Sequence, residues 1–312
     1  MMLLRYAFRA FDRLGLLKRM VFELPLRLSG KRLLIPMVRG VGEGHLVSPE
    51  PFMDLLIAKL VPLFPGVFLD VGVNIGQTLI KVKCAFPDQE YVGFEPNATC
   101  VDYVRRLVGR NGLTSVRLVP AGLADRDGSA SLVLPSGDAD DSSATLLKGL
   151  REPGAGQREV TVDLITWTAA ERAQPIGTLG VVKIDVEGSE LFVLQQLEKR
   201  LRQDRPITIV EVLPTYEPPD PERAARNALI EAICQRCDLR IHRIHKKQDP
   251  IRFEAILGSV FIRTCTGAIT CWCRGNGRPK SSRRSTESLH PRPGHQVVPH
   301  VVVPSFLQRM EG

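Results

Sequence analysis

Three acidic groups stand where apolar runs end, and each is placed to act on a nucleotide-like ligand. The first is Asp70, in Val67–Val71, followed by Gly72, Asn74 and Gly76. Glycines there permit a tight turn and close approach of the backbone. A helix starting after Gly76 would add unpaired N–H groups and the positive end of its dipole. A dinucleotide site would need three glycines in G-x-G-x-x-G spacing, which this turn lacks. Asp70 would repel a pyrophosphate but suits a cofactor bearing an ammonium and a sulfonium. The pattern therefore favours S-adenosylmethionine over a nicotinamide dinucleotide.

The second is Glu95, in Gly93-Phe94-Glu95-Pro96-Asn97. In doubly wound folds an acid at this place accepts hydrogen bonds from ribose hydroxyls, the alternative being a solvated loop carboxylate. The third run, Val181–Asp185, brings Lys183, Asp185, Glu187 and Glu190 to its carboxyl end, where ligands of open α/β sheets bind. Lys183 and Asp185 share one face of that strand, so an ion pair would satisfy charges in an apolar setting. A purely structural pair is the competing explanation. A neutral hydroxyl acceptor would need a general base. Asp185 and Glu187 are the candidates, with His45, in Gly42-Glu43-Gly44-His45, a more distant one. No Asp-Asp or Asp-Asn pair accompanies Glu190, and no metal is assigned.

These residues need a frame that alternates strands and helices. Strands are expected at Val67–Val71, Tyr91–Glu95, Val116–Pro120, Val181–Asp185 and Ile207–Val212. Leu191, Leu194, Leu197 and Leu201 form a helical stripe, with Ser189 as its expected N-cap. Ser129–Leu134 and Glu159–Leu164 read as a hairpin or insertion with a mobile loop, rich in Gly, Ser, Asp and Pro, of the kind that often gates substrate.

The 312 residues accommodate one α/β body with extensions, and 44% hydrophobic content supplies a core and excludes wholesale disorder. Of the net charge of +8, residues 1–39 hold +7 and residues 274–312 hold +5, leaving −4 between them. A slightly acidic middle argues against a nucleic-acid channel through the body, which would need a basic stripe there.

The expected organisation is a lead-in over 1–62, a catalytic domain over 63–265 and a disordered basic tail over 266–312. The abrupt start of that tail also allows a non-native end, such as a shifted reading frame. Leu4, Phe8, Phe11, Leu14 and Leu17 predict a basic amphipathic helix that packs on the body or touches an anionic membrane surface. Seven cysteines without a regular framework suggest free thiols, and no apolar run approaches the ~20 residues of a membrane span, so a cytoplasmic protein is expected. Cys234-Gln-Arg-Cys237 has zinc or redox spacing but lies in a helical pattern without a second matching pair.

Taken together, Asp70–Gly76, Phe94–Asn97 and Lys183–Glu190 resemble the three motifs of the FkbM family of methyltransferases. The resemblance runs from about Leu33 to Ile262. It implies a doubly wound, mostly parallel Rossmann-like sheet of the class I methyltransferase type, with S-adenosylmethionine as cofactor. It also implies O-methylation of a small-molecule or glycan hydroxyl. Asp70, Gly72, Asn74, Gly76, Glu95, Pro96 and Asn97 would bind the cofactor, and Lys183, Asp185 and Glu187 would serve catalysis. Val119–Asp125 resembles the family's segment near the adenine, which would add Asp125. A protein that kept the fold but lost turnover is the alternative.

Overall fold

The computed structural model describes residues 17–47, 50–135, 137–146, 157–212, 221–245, 252–256 and 298–304. Two strands, β1 (Val21–Leu28) and β2 (Lys31–Val38), form an antiparallel hairpin. Its two-residue turn, Ser29-Gly30, has φ of 46° and 80°, the twist that suits tightly joined strands. Leu33, Ile35 and Met37 of β2 and Leu26 of β1 are buried and join the hairpin to the core. The lead-in is thus partly β, where a helical extension was expected. The predicted helix from Leu4 lies outside the described residues, apart from Leu17 at its end.

The body follows as β3 (Val67–Val71), β4 (Tyr91–Phe94), β5 (Val116–Val119), β6 (Gly122–Leu123), β7 (Gly128–Leu134), β8 (Arg158–Ile165), β9 (Leu179–Ile184), β10 (Ile207–Val212), β11 (Leu239–His245), β12 (Arg252–Ile256) and β13 (Val298–Pro304). Eight strands form one sheet in the order β12-β11-β13-β10-β9-β3-β4-β5, and the five from β10 to β5 are parallel. The five strands predicted from apolar runs are these five. β6, β8 and β7 make a small separate sheet, with β7 and β8 antiparallel as the composition suggested.

Strand side chains alternate between two cores. Phe68, Tyr91, Val181 and Ile209 face the helices Pro51–Leu63, Gln77–Ala85 and Ala98–Arg110, with the β1–β2 hairpin outside them. Leu69, Val92, Val182 and Val210 face the helices Trp167–Ala173, Glu190–Asp204 and Pro221–Arg236. A sheet buried on both faces explains why its strands read as continuous apolar runs. Asn111 docks the hairpin, accepting from the Leu34 N–H and donating to the Leu34 carbonyl, each at 2.8 Å.

The segment expected to be a disordered tail contributes β13, which inserts between β10 and β11 and runs antiparallel to both, with five residue pairs on each side. Its Val-rich run satisfies two strand edges at once, a tertiary gain that compositional reasoning over 266–312 does not register. Deleting residues 266–312 should therefore lower the thermal midpoint and promote aggregation, as two facing edges open. Unchanged melting and solubility of the truncated chain would show that β13 is dispensable.

Candidate functional site

The chain runs outward from β3 to β4 and β5 on one side, then to β9 and β10 on the other. β3 and β9 therefore flank the switch point, where open α/β sheets bind ligands beyond their strand ends. In the β3–β9 register Asp70 stands opposite Lys183. Lys183 Nζ lies 3.3 Å from Asp70 Oδ1 and 3.3 Å from Asp185 Oδ2, and donates to the Gly72 carbonyl at 3.4 Å. The second Asp70 oxygen accepts from the Tyr91 hydroxyl at 2.5 Å. Gly93 makes that reach possible: a Cβ there would come within 3.1 Å of the Tyr91 ring and 2.5 Å of Val73. Burial alone would lower the pKa of Lys183, but the carboxylates of Asp70 and Asp185 outweigh it and hold the ammonium charged.

Gly72, at φ +92°, carries the chain from β3 toward β9 so closely that a Cβ would sit 1.9 Å from the Asp185 carbonyl oxygen. The turn then passes through Asn74, also left-handed at φ 49°, to Gly76, which precedes the helix Gln77–Ala85. The Asn74 N–H donates to Glu95 Oε2 at 2.7 Å and the Asn97 N–H to Glu95 Oε1 at 2.8 Å. Glu95 is buried, and burial pushes its pKa up to about 7, against the two N–H bonds and Lys183, while Asp70 adds to the rise. Asn97 also caps the helix Ala98–Arg110, its side chain accepting from the Thr99 N–H at 3.0 Å.

These strand ends open into a cleft of about 950 Å³, solvent-facing space included. Of the predicted site residues, Gly72, Asn74, Glu95, Pro96, Asn97, Lys183, Asp185 and Glu187 line it. Three do not. Asp70 lies beneath the floor, both its oxygens engaged as described, so its charge acts on the cleft only through Lys183 and Asp185. Gly76 shapes the turn behind the wall. Asp125 is an exposed side chain 3.7 Å from Arg126, away from the cleft; from that segment Gly122 and Leu123 reach the lining instead. His45 is buried behind the turn, its Nε2 bonding the Ile75 carbonyl at 3.1 Å, and burial lowers its pKa to about 4. A neutral, enclosed imidazole outside the cleft is not a candidate base.

Sequence reasoning pointed to the segment between β7 and β8 but named no residue of the wall that 137–146 form there. Asn97 Nδ2 donates to the Ala139 carbonyl at 2.8 Å and Asn74 Nδ2 to the Asp140 carbonyl at 3.5 Å. Thr145 Oγ1 donates to the Glu187 carbonyl at 2.7 Å. These ties bring Asp141, Ser142, Ala144 and Leu146 into the lining. The only signal for them was the Ser and Asp content of a loop. Beyond Glu187, the carboxylate of Glu190 turns back to accept from the Gly188 N–H at 2.7 Å, and burial raises its pKa to about 7.

Cys234 and Cys237 are buried thiols whose burial raises their pKa values, that of Cys234 to about 12. Neither is therefore an activated thiolate. Among the described residues no group of three or more His, Cys, Asp or Glu side chains is arranged to hold a metal, and no helix is long and apolar enough to cross a membrane.

The arrangement makes Lys183 the counter-ion of two carboxylates, one of them fully buried. Lys183→Met should cost about 3–5 kcal/mol of unfolding free energy, because it leaves Asp70 charged and unpaired. Adding Asp70→Asn should return a large part of that. Urea denaturation of the two single variants and the double variant measures the coupling. Additive losses would show that the pair does not hold the strands together.

A family model described as the methyltransferase FkbM domain matches residues 70–237, more than half of the chain and all three motifs. Methyltransferase sdnD of Sordaria araneosa is 26% identical over 183 residues, 50% of this chain and 70% of that protein. The solved structure of methyltransferase FkbM from Methylobacillus flagellatus KT is 15% identical, with a TM-score of 0.33 over 50% of this chain. This chain spans 37% of the length of that protein. Precorrin-6y C5,15-methyltransferase of Geobacter metallireducens GS-15 is 9% identical with a TM-score of 0.37, covering 68% of this chain and 85% of that one. With the matched span running from Asp70 through the Lys183–Glu190 cluster, the chain belongs to the FkbM methyltransferase family.

Proposed function

We propose that the chain is an S-adenosylmethionine-dependent O-methyltransferase acting on a hydroxyl of a sugar, glycan or secondary metabolite. The observation that carries this is Glu95. Two backbone N–H groups fix its carboxylate on the cleft lining, and each oxygen keeps acceptor capacity for the hydroxyls of a ribose. Phe94, Leu123, Leu132 and Leu146 supply an apolar wall suited to a flat adenine. The Asp70–Lys183–Asp185 cluster leaves one net negative charge at the floor, which favours the cationic end of such a cofactor.

S-adenosylmethionine supplies an electrophilic methyl group on a sulfonium. The chain's task is then to align an acceptor oxygen about 3 Å from that carbon, exclude water and take up the hydroxyl proton. Asp185, partly exposed in the cleft and anchored from below by Lys183, is the candidate to accept that proton at its free oxygen, with Glu187 beside it. Lys183 orients Asp185 rather than exchanging protons itself.

Calorimetry should detect binding of S-adenosylmethionine and of its demethylated product, S-adenosylhomocysteine. Glu95→Ala should weaken both by on the order of 10- to 100-fold, the worth of one or two bonds to a charged acceptor. Absence of binding to the unmodified protein would remove the proposal.

The pH dependence has a definite sign. With its pKa at about 7, Glu95 gains its proton as pH falls through neutrality and loses acceptor strength, so affinity should decline below pH 7. In the ligand-free protein the raised carboxyl works the other way, its contribution to stability being lost as pH rises from about 4.5 through 7. Glu95→Gln should flatten both profiles, and an unaltered pH profile of binding in that variant would show that another group is titrating.

A further inference from the structure

Ser189 occupies the N-cap position of the 15-residue helix Glu190–Asp204, where a serine ordinarily turns its oxygen onto an N–H of the first turn. It does not do so here. Its side chain makes no cap bond, the residue is only 3% exposed, and its buried Oγ has no hydrogen-bond partner. A buried hydroxyl without a partner is unfavourable and calls for an explanation. Ser189 is nevertheless a residue of the cleft lining, beside Asp185 and Glu187, at the positive end of the helix dipole.

We propose that Ser189 is an acceptor-binding residue: its Oγ hydrogen-bonds the hydroxyl that receives the methyl group. The inference rests on the donor reading given above and extends it to the acceptor side. Donation from Ser189 Oγ–H occupies one lone pair of the acceptor oxygen and leaves the other for the methyl carbon. As the C–O bond forms, the C–S bond breaks with its electron pair retained by sulfur, and the acceptor's proton passes to Asp185. The neighbouring helix N-terminus favours the negative charge that builds on oxygen as that proton leaves. The ligand class is thus a neutral alcohol, since a protonated amine offers no lone pair to Ser189.

The test compares S-adenosylhomocysteine with sinefungin, an analogue whose amine-bearing carbon replaces the methylated sulfur and which therefore reaches the acceptor side. In Ser189→Ala the sinefungin affinity should drop about fivefold, the loss of one hydrogen bond in which the ammonium of sinefungin donates to a lone pair of Ser189 Oγ, with S-adenosylhomocysteine affinity unchanged. The melting temperature should hold or rise, because an unsatisfied buried hydroxyl has been removed. Parallel weakening of both ligands would place Ser189 against the body of the donor and overturn the proposal. So would unchanged sinefungin affinity, or a lower melting temperature that reveals a capping role. If the unmodified protein binds neither ligand, the donor reading itself fails, a result distinct from a lost preference in the variant.

Discussion

The ion pair between Asp70 and Lys183 is the constraint on which the rest of the site depends. It joins the two strands at the switch point, side chains 113 residues apart in sequence, in a setting where Asp70 has no solvent exposure. Each charge would be strongly unfavourable there without the other. Because the pair sits in register across β3 and β9, the strand ends emerge together, and Gly72 can lie against the backbone of Asp185 without a side chain between them. The same ammonium bonds Asp185 on its cleft side. A buried structural pair and the candidate base are thus parts of one electrostatic unit.

Glu95 organises the other half of the cleft by a comparable economy. Its carboxylate is bonded by the N–H groups of Asn74 and Asn97, and the side chains of those two asparagines bond the carbonyls of Asp140 and Ala139. The chain of bonds runs from a motif acid through two motif asparagines to a loop that belongs to no motif. Thr145 closes the circuit onto Glu187. The wall of the cleft therefore depends on the residues that hold Glu95, and the two asparagines act as clasps for that wall.

Ser189 differs from these hubs. Asp70, Lys183 and Glu95 are buried and each is bonded by partners within the protein, as stable polar groups in an interior are. Ser189 is buried and unbonded in the same cleft. On that contrast rests the acceptor-side role proposed for Ser189.

Much of this was legible in the residues themselves. Five parallel strands, the helix bearing Leu191 to Leu201 and the β7–β8 hairpin follow from apolar period, and eight of the cleft-lining residues from acids at strand ends, the turn after Val71 and the motifs of the family resemblance. Those are local signals, carried by neighbours in sequence. Contact decided what remained. Asp70 looked like a group for a cofactor's cation because nothing near it in sequence reveals Tyr91 and Lys183 closing over its oxygens. Asp125 and Leu123 stand two residues apart, and only the packing of β6 against β8 turns one into the cleft and the other toward solvent. Val298–Pro304 sits in a segment whose composition suggests disorder, yet two open strand edges make it part of the sheet. Sequence sets which residues are apolar, charged or free to turn; which charge is neutralised, which hydroxyl is left unbonded and which edge is covered depend on partners far along the chain, and only the folded structure brings those together.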